Sequence, residues 1–136
     1  YGDIASRCLD ILETVNSPSL RAVFDPANFT QCDQKVYPDA YEMLCDYVDY
    51  IHIKDSKEDK SIVPAGMGIS NIYEVLCAQY KRGYNGFLSL EPHLGNFAGL
   101  ANLEHGNKVA DSGESGPDKF DLAYSSLNKI IERVVS

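Results

Sequence analysis

Apolar residues recur three and four positions apart at Ile4, Cys8, Ile11, Leu12 and Val15, a spacing that predicts an amphipathic helix, and Asn16-Ser17-Pro18 stops it. Leu20 to Phe24 is a short apolar run broken only by Arg21, which predicts a buried strand. Asp25 to Tyr37 is polar and reads as a connection. Pro38 then stands where the first turn of a helix tolerates it, ahead of Ala40, Tyr41, Leu44 and Cys45 on one face. Val48 to Ile53 is β-branched and aromatic, the composition of a second strand, and leads into a charged loop from Lys54 to Lys60. Ser70 is placed to cap a helix carrying Ile72, Val75, Leu76 and Tyr80, with Gly83 as its left-handed terminator. Tyr84-Asn85-Gly86 turns the chain into Phe87 to Leu90, a third strand that Pro92 keeps from extending. Residues 92 to 116 have no clear period and read as a long loop. Pro117 opens a last helix with Phe120, Ala123, Leu127, Ile130, Ile131 and Val134 on one face.

Strands separated by helices make parallel sheets, so the alternation predicts an α/β architecture of parallel β/α units. The 136 residues are one domain's worth of chain, with 44% hydrophobic and 24% charged residues, which excludes a disordered tail or a disulfide-dense miniprotein. Twelve Lys and Arg against 20 Asp and Glu give a net charge of −8, a surface that repels phosphate backbones and anionic lipid, so nucleic acid and membrane are not expected partners. Cys8, Cys32, Cys45 and Cys77 form no Cys-x-x-Cys pair. They read as reduced thiols, mostly packed in a core, in a cytoplasmic protein, although an even count also permits two disulfides. The chain starts at Tyr1 and enters a helix at once, which reads as a piece of something longer.

Each predicted strand ends in a residue able to bind a divalent cation: Asp25, His52 and Glu91, spaced 27 and 39 residues apart. Either interval accommodates one crossover, so all three side chains would meet at the carboxyl end of one parallel sheet, where barrel enzymes place their sites. Two carboxylates and one imidazole suit Mn, Mg, Co or Zn better than a thiolate-preferring ion. Taken singly, an acidic residue closing a strand is ordinarily a solvated carboxylate and a lone His an ordinary core or edge residue. The joint occurrence on three successive strand ends carries the reading.

These residues sit in words that resemble the xylose isomerase-like TIM barrels, a family of sugar isomerases, ketose 3-epimerases and inosose dehydratases: Phe-Asp-Pro-Ala-Asn-Phe (24–29), Tyr-Ile-His-Ile-Lys-Asp (50–55), Gly-Met-Gly (66–68) and Gly-Tyr-Asn-Gly-Phe-Leu-Ser-Leu-Glu-Pro-His (83–93). The resemblance implies the sixth, seventh and eighth strands of a TIM (β/α)8 barrel, with residues 1–136 a partial domain whose N-terminal half is absent; a whole barrel takes about 250 residues. It implies a divalent metal held by Asp25, His52 and Glu91 together with a fifth-strand Glu that has no counterpart here. It implies that Glu91 is also a catalytic acid or base, exchanging a proton beside the substrate carbonyl through an enediolate. Asn28 stands where epimerase members often have His and is a candidate substrate contact, as are Lys54, Asp55 and His93; Gly66 and Gly68 read as turn residues shaping the rim, and Lys57 to Lys60 as a solvated charge run. The expected function is a metal-dependent sugar or sugar-phosphate isomerase or epimerase, inactive or nearly so as this piece. The alternatives are a keto-inositol (inosose) dehydratase-like lyase and a non-catalytic sugar-binding barrel. Endonucleases share the barrel, but the acidic composition disfavours DNA. Three strands alone leave two open edges and an apolar face, which predicts a homo-oligomer.

Overall fold

The computed structural model describes residues 3–94 and 116–136. Helix α1 (Ala5–Val15) ends at Asn16, whose left-handed φ of 42° lets its N–H return to the Leu12 carbonyl. Strand β1 (Ala22–Phe24) is shorter than the apolar run predicts: Arg21 lies just outside it and is held by Asp49 at 3.0 Å and the Asp46 carbonyl at 2.8 Å.

The polar stretch after β1 is not a plain connection. It contains helix α2 (Pro26–Gln31), started by Asp25 in an extended conformation whose Oδ1 accepts the Asn28 N–H at 3.0 Å, with Pro26 at the first helical position. Phe29 turns from this helix onto Phe24 with ring centroids 5.1 Å apart, and Phe24 also meets the edge of Tyr41 at 6.0 Å. A widened turn at Val36–Ala40, with Tyr37 extended as a residue before proline prefers, runs into α3 (Tyr41–Leu44). Ala40, Tyr41 and Leu44 are buried there, as the pattern predicts.

Strand β2 (Val48–Ile53) occupies its predicted span and is the centre of a parallel sheet of order β1-β2-β5, where β5 is Phe87–Leu90. Between them lie a small antiparallel pair, β3 (Asp55–Ser56) with β4 (Ile62–Val63), and α4 (Ile72–Lys81). Strand β3 falls inside the charged stretch from Lys54 to Lys60 that reads as a loop, and β4 just beyond it; two-residue strands carry no period from which to see them. Ser70 does not cap α4: the helix follows Asn71, at φ 54°, while Ser70 is fully buried, with its hydroxyl 3.1 Å from Thr30 Oγ1 and accepting the Ser56 N–H at 3.1 Å. Gly83 has the left-handed φ of +79° expected of it.

The last helix, α5 (Gly116–Val135), buries Ala123, Leu127 and Ile130, whereas Phe120, expected on the same face, is 54% exposed. The long loop read over 92–116 lies, from 95 to 115, outside the described residues. All four cysteines are free; Cys8 and Cys45 are half-buried and pack against the core, Cys77 is half-buried and Cys32 exposed, so fewer are packed in the core than expected. Among the described residues no helix is long and apolar enough to cross a membrane.

Strand periodicity sorts the sheet into two faces. Phe24, Ile51, Ile53, Leu88 and Leu90 lie on the side the helices cover, and Ile51 is completely buried at its centre. The register pairs Val23 with Tyr50 and Tyr50 with Phe87, a row on the opposite face whose outer members are 52% and 80% exposed. Among the described residues that row is exposed at its two outer members, and the candidate site stands at the carboxyl end of the same face.

Candidate metal centre

Register brings the three strand-end residues together. Phe24 pairs with Ile51 and His52 with Ser89, so Asp25 and His52 occupy neighbouring positions in one row. Glu91 lies two residues beyond Ser89 on the same face, and its N–H extends the ladder to the Ile53 carbonyl at 3.1 Å. His52 Nδ1 is 3.1 Å from Glu91 Oε2 and 3.6 Å from Asp25 Oδ2. One ligand atom from each of the three residues falls within 4.8 Å of the others. Ligands of one small divalent cation, bound at about 2.1 Å, stand no more than about 4.2 Å apart, and the two His52 distances already lie within that limit.

Asp25 does two jobs with its two oxygens. Oδ1 caps α2, whereas Oδ2 is buried and accepts no hydrogen bond. A buried carboxylate oxygen without a partner is costly, and the donor set around it fits a cation as the missing partner. Burial pushes the Asp25 carboxyl above its ordinary 3.8; the Lys54 ammonium and the Asn28 N–H work against the rise and Glu91 adds to it. Glu91 moves the other way: its partial burial is outweighed by the Asp25 carboxyl, His52, Lys54 and His93 around it.

The remaining residues singled out from the sequence separate into two groups. Lys54, with its side chain 9% exposed, places Nζ 3.6 Å from Asp25 Oδ2, 4.0 Å from Glu91 Oε2 and 2.8 Å from Asn28 Oδ1, to which it donates. His93 Nε2 is 3.6 Å from Glu91 Oε1. Asn28, Lys54 and His93 thus border the triad. Asp55, expected as a substrate contact, is instead occupied by the backbone and 1% exposed: Oδ1 accepts the N–H groups of Ser56 and Ser70 at 2.9 and 3.1 Å, Oδ2 those of Gly66 and Gly68 at 2.9 and 3.0 Å. This carboxylate shapes the rim rather than reaching into the site. Gly66 and Gly68 do act as turn residues, Gly66 at φ +83° and Gly68 so close to the Asp55 carboxylate and the Ser56 carbonyl that no Cβ fits. Tyr50 is a neighbour that the motif reading passes over: its ring meets His52 edge-on at 5.1 Å and fixes the imidazole, a role visible in its place two residues earlier on the same strand face.

A model of the family described as xylose isomerase-like TIM barrel matches residues 2–113. Among solved structures, a xylose isomerase domain protein from Planctomyces limnophilus is similar at 21% identity and a TM-score of 0.64, over 96% of this chain and 44% of that one. D-Allulose 3-epimerase from Methylomonas sp., solved in complex with D-allulose, is similar at 19% identity and a TM-score of 0.66, over 96% and 43%. A xylose isomerase domain protein from Alicyclobacillus acidocaldarius subsp. acidocaldarius gives 18% and 0.67, over 98% and 44%. The chain therefore spans less than half the length of these structures. No curated protein matches the sequence.

Proposed function

The chain belongs to the xylose isomerase-like TIM-barrel family, and on that premise we propose that it is the part of a sugar isomerase or epimerase that carries strands six to eight and three of the ligands of a divalent metal. The observation that carries the reading is Oδ2 of Asp25, buried without a hydrogen bond, beside His52 and Glu91 at the carboxyl end of a parallel sheet. The likeness to an epimerase solved with D-allulose supports a sugar as the substrate class.

When bound, the cation would supply Lewis-acid polarisation of the substrate's oxygen atoms. Asp25 and His52 hold the donor set in place, the first fixed by its cap on α2 and the second by Tyr50. Glu91 is half-buried and kept in its basic form by its neighbours, which suits it to take a proton from the carbon beside a carbonyl and to return one to the enediolate. Lys54 and His93 supply donors at the edge of the same space. A fourth carboxylate ligand and a second acid or base come from the remainder of the barrel, and the isolated chain is inactive or nearly so. The open face, with Val23 and Phe87 exposed, drives the isolated chain to self-associate.

The test is exchange in D2O by the full-length barrel containing this segment, with Mn2+ and a ketose. Deuterium enters at the carbon adjacent to the carbonyl, and Glu91→Gln abolishes its entry. Exchange that survives Glu91→Gln removes Glu91 from the chemistry, and turnover that needs no divalent cation removes the metal.

A further inference from the structure

Lys54 is a long cationic side chain with its ammonium withdrawn from water and set against the two carboxylates of the candidate metal centre, 3.6 Å from the Asp25 oxygen that is buried without a hydrogen-bond partner. It is held there from behind by the Asn28 carboxamide at 2.8 Å, and Asn28 in turn donates its backbone N–H to the other oxygen of Asp25. A fixed charge in this place has two consequences. It compensates the buried Asp25 and half-buried Glu91 carboxylates when no cation is present, and it repels any cation that approaches the same oxygen.

We propose that Lys54 is a built-in counter-ion of the triad that competes with the divalent metal for Asp25 Oδ2, lowering metal affinity while keeping the empty site folded, with Asn28 as the positioning residue that latches the ammonium. The inference rests on the proposed metal site, and its two consequences are separable by experiment. The metal-free consequence is read by a double-mutant cycle on folding stability in chelator, using Lys54→Met, Asp25→Asn and the pair. Lys54→Met lowers the folding equilibrium constant by a factor at least tenfold larger in the parent background than in the Asp25→Asn background. The metal-linked consequence is read by titrating Mn2+ calorimetrically into the parent chain and Lys54→Met: the variant binds at least tenfold more tightly, and its thermal midpoint rises further on Mn2+ addition than that of the parent. Lys54→Arg, which keeps the charge, does not gain affinity.

An uncoupled metal-free cycle overturns the counter-ion role, and an unchanged or weaker Mn2+ affinity in Lys54→Met overturns the competition. Coupling in the cycle together with no Mn2+ binding by either protein overturns the metal reading, and the competition with it, while upholding Lys54 as the partner of Asp25.

Discussion

Replacing Asp55 by Asn exchanges one buried oxygen for an amide nitrogen and leaves size and shape almost unchanged. The side chain is 1% exposed and accepts four backbone N–H groups, two on each oxygen, drawn from Ser56, Gly66, Gly68 and Ser70. The donors are shared evenly, so no flip of the new amide keeps all four bonds: with its NH2 toward Gly66 and Gly68 both lose their acceptor, and toward Ser56 and Ser70 the buried Ser70 N–H does, whereas Ser56 keeps the Ser70 hydroxyl. An unsatisfied donor costs about 1–3 kcal/mol, and the bonds that survive lose the assistance of a full charge, so with the cheaper flip Asp55→Asn should cost about 2–3 kcal/mol. Against the roughly 5–15 kcal/mol that holds a domain of this size together, that is a large fraction. Urea unfolding of the two proteins measures the loss, and limited proteolysis locates it, with cleavage gained between residues 57 and 69. A loss below about 1 kcal/mol, with no new cleavage there, would refute the claim that this carboxylate organises the rim.

Further outcomes follow from the same geometry. Gly68→Ala forces a methyl into the Asp55 carboxylate and the Ser56 carbonyl and should open the same segment to protease; a variant as resistant as the parent contradicts the close approach. In chelator, Asp25 has a folded-state pKa above 3.8, so the stability it contributes is present at low pH and lost as pH rises through the raised value. Asp25→Asn cannot ionise and escapes this loss, so urea melts should show the variant gaining on the parent from about pH 4 upward; a difference independent of pH contradicts the upward shift that burial gives Asp25. Sedimentation of the 15.0 kDa chain should show self-association that Phe87→Ser weakens, whereas a strictly monomeric, well-folded parent would mean that the open face needs no cover.

The parts of the fold legible in the sequence are those whose signal is local. Val48–Ile53 and Phe87–Leu90 are dense in β-branched, aromatic and aliphatic residues and form strands over those spans, because both turn one face toward the helices. The convergence of Asp25, His52 and Glu91 is legible as well, since neighbouring parallel strands place their last residues at one edge. Helix α2 escapes the periodicity although its signal is present: Asp25-Pro26 is a cap followed by a proline at the first helical position, obscured by the polar composition around it. The roles of Asp55 and Ser70 have no local signal. Asp55 finds its partners 11 to 15 residues away at Gly66, Gly68 and Ser70, and Ser70 meets Thr30 across 40 residues, contacts that exist only once the hairpin has folded over α2. Lys54 reads from sequence as a candidate substrate contact, and that its ammonium also neighbours both carboxylates is a feature only the distances show.

The claim tested most directly is that Asp25, His52 and Glu91 hold a cation by themselves, without the fourth ligand from the remainder of the barrel. Calorimetric titration of Mn2+ into the 136-residue chain, beside Asp25→Asn, decides the matter. The expected result is micromolar binding of one ion per chain that the substitution abolishes; no binding, or binding that Asp25→Asn leaves intact, would contradict it.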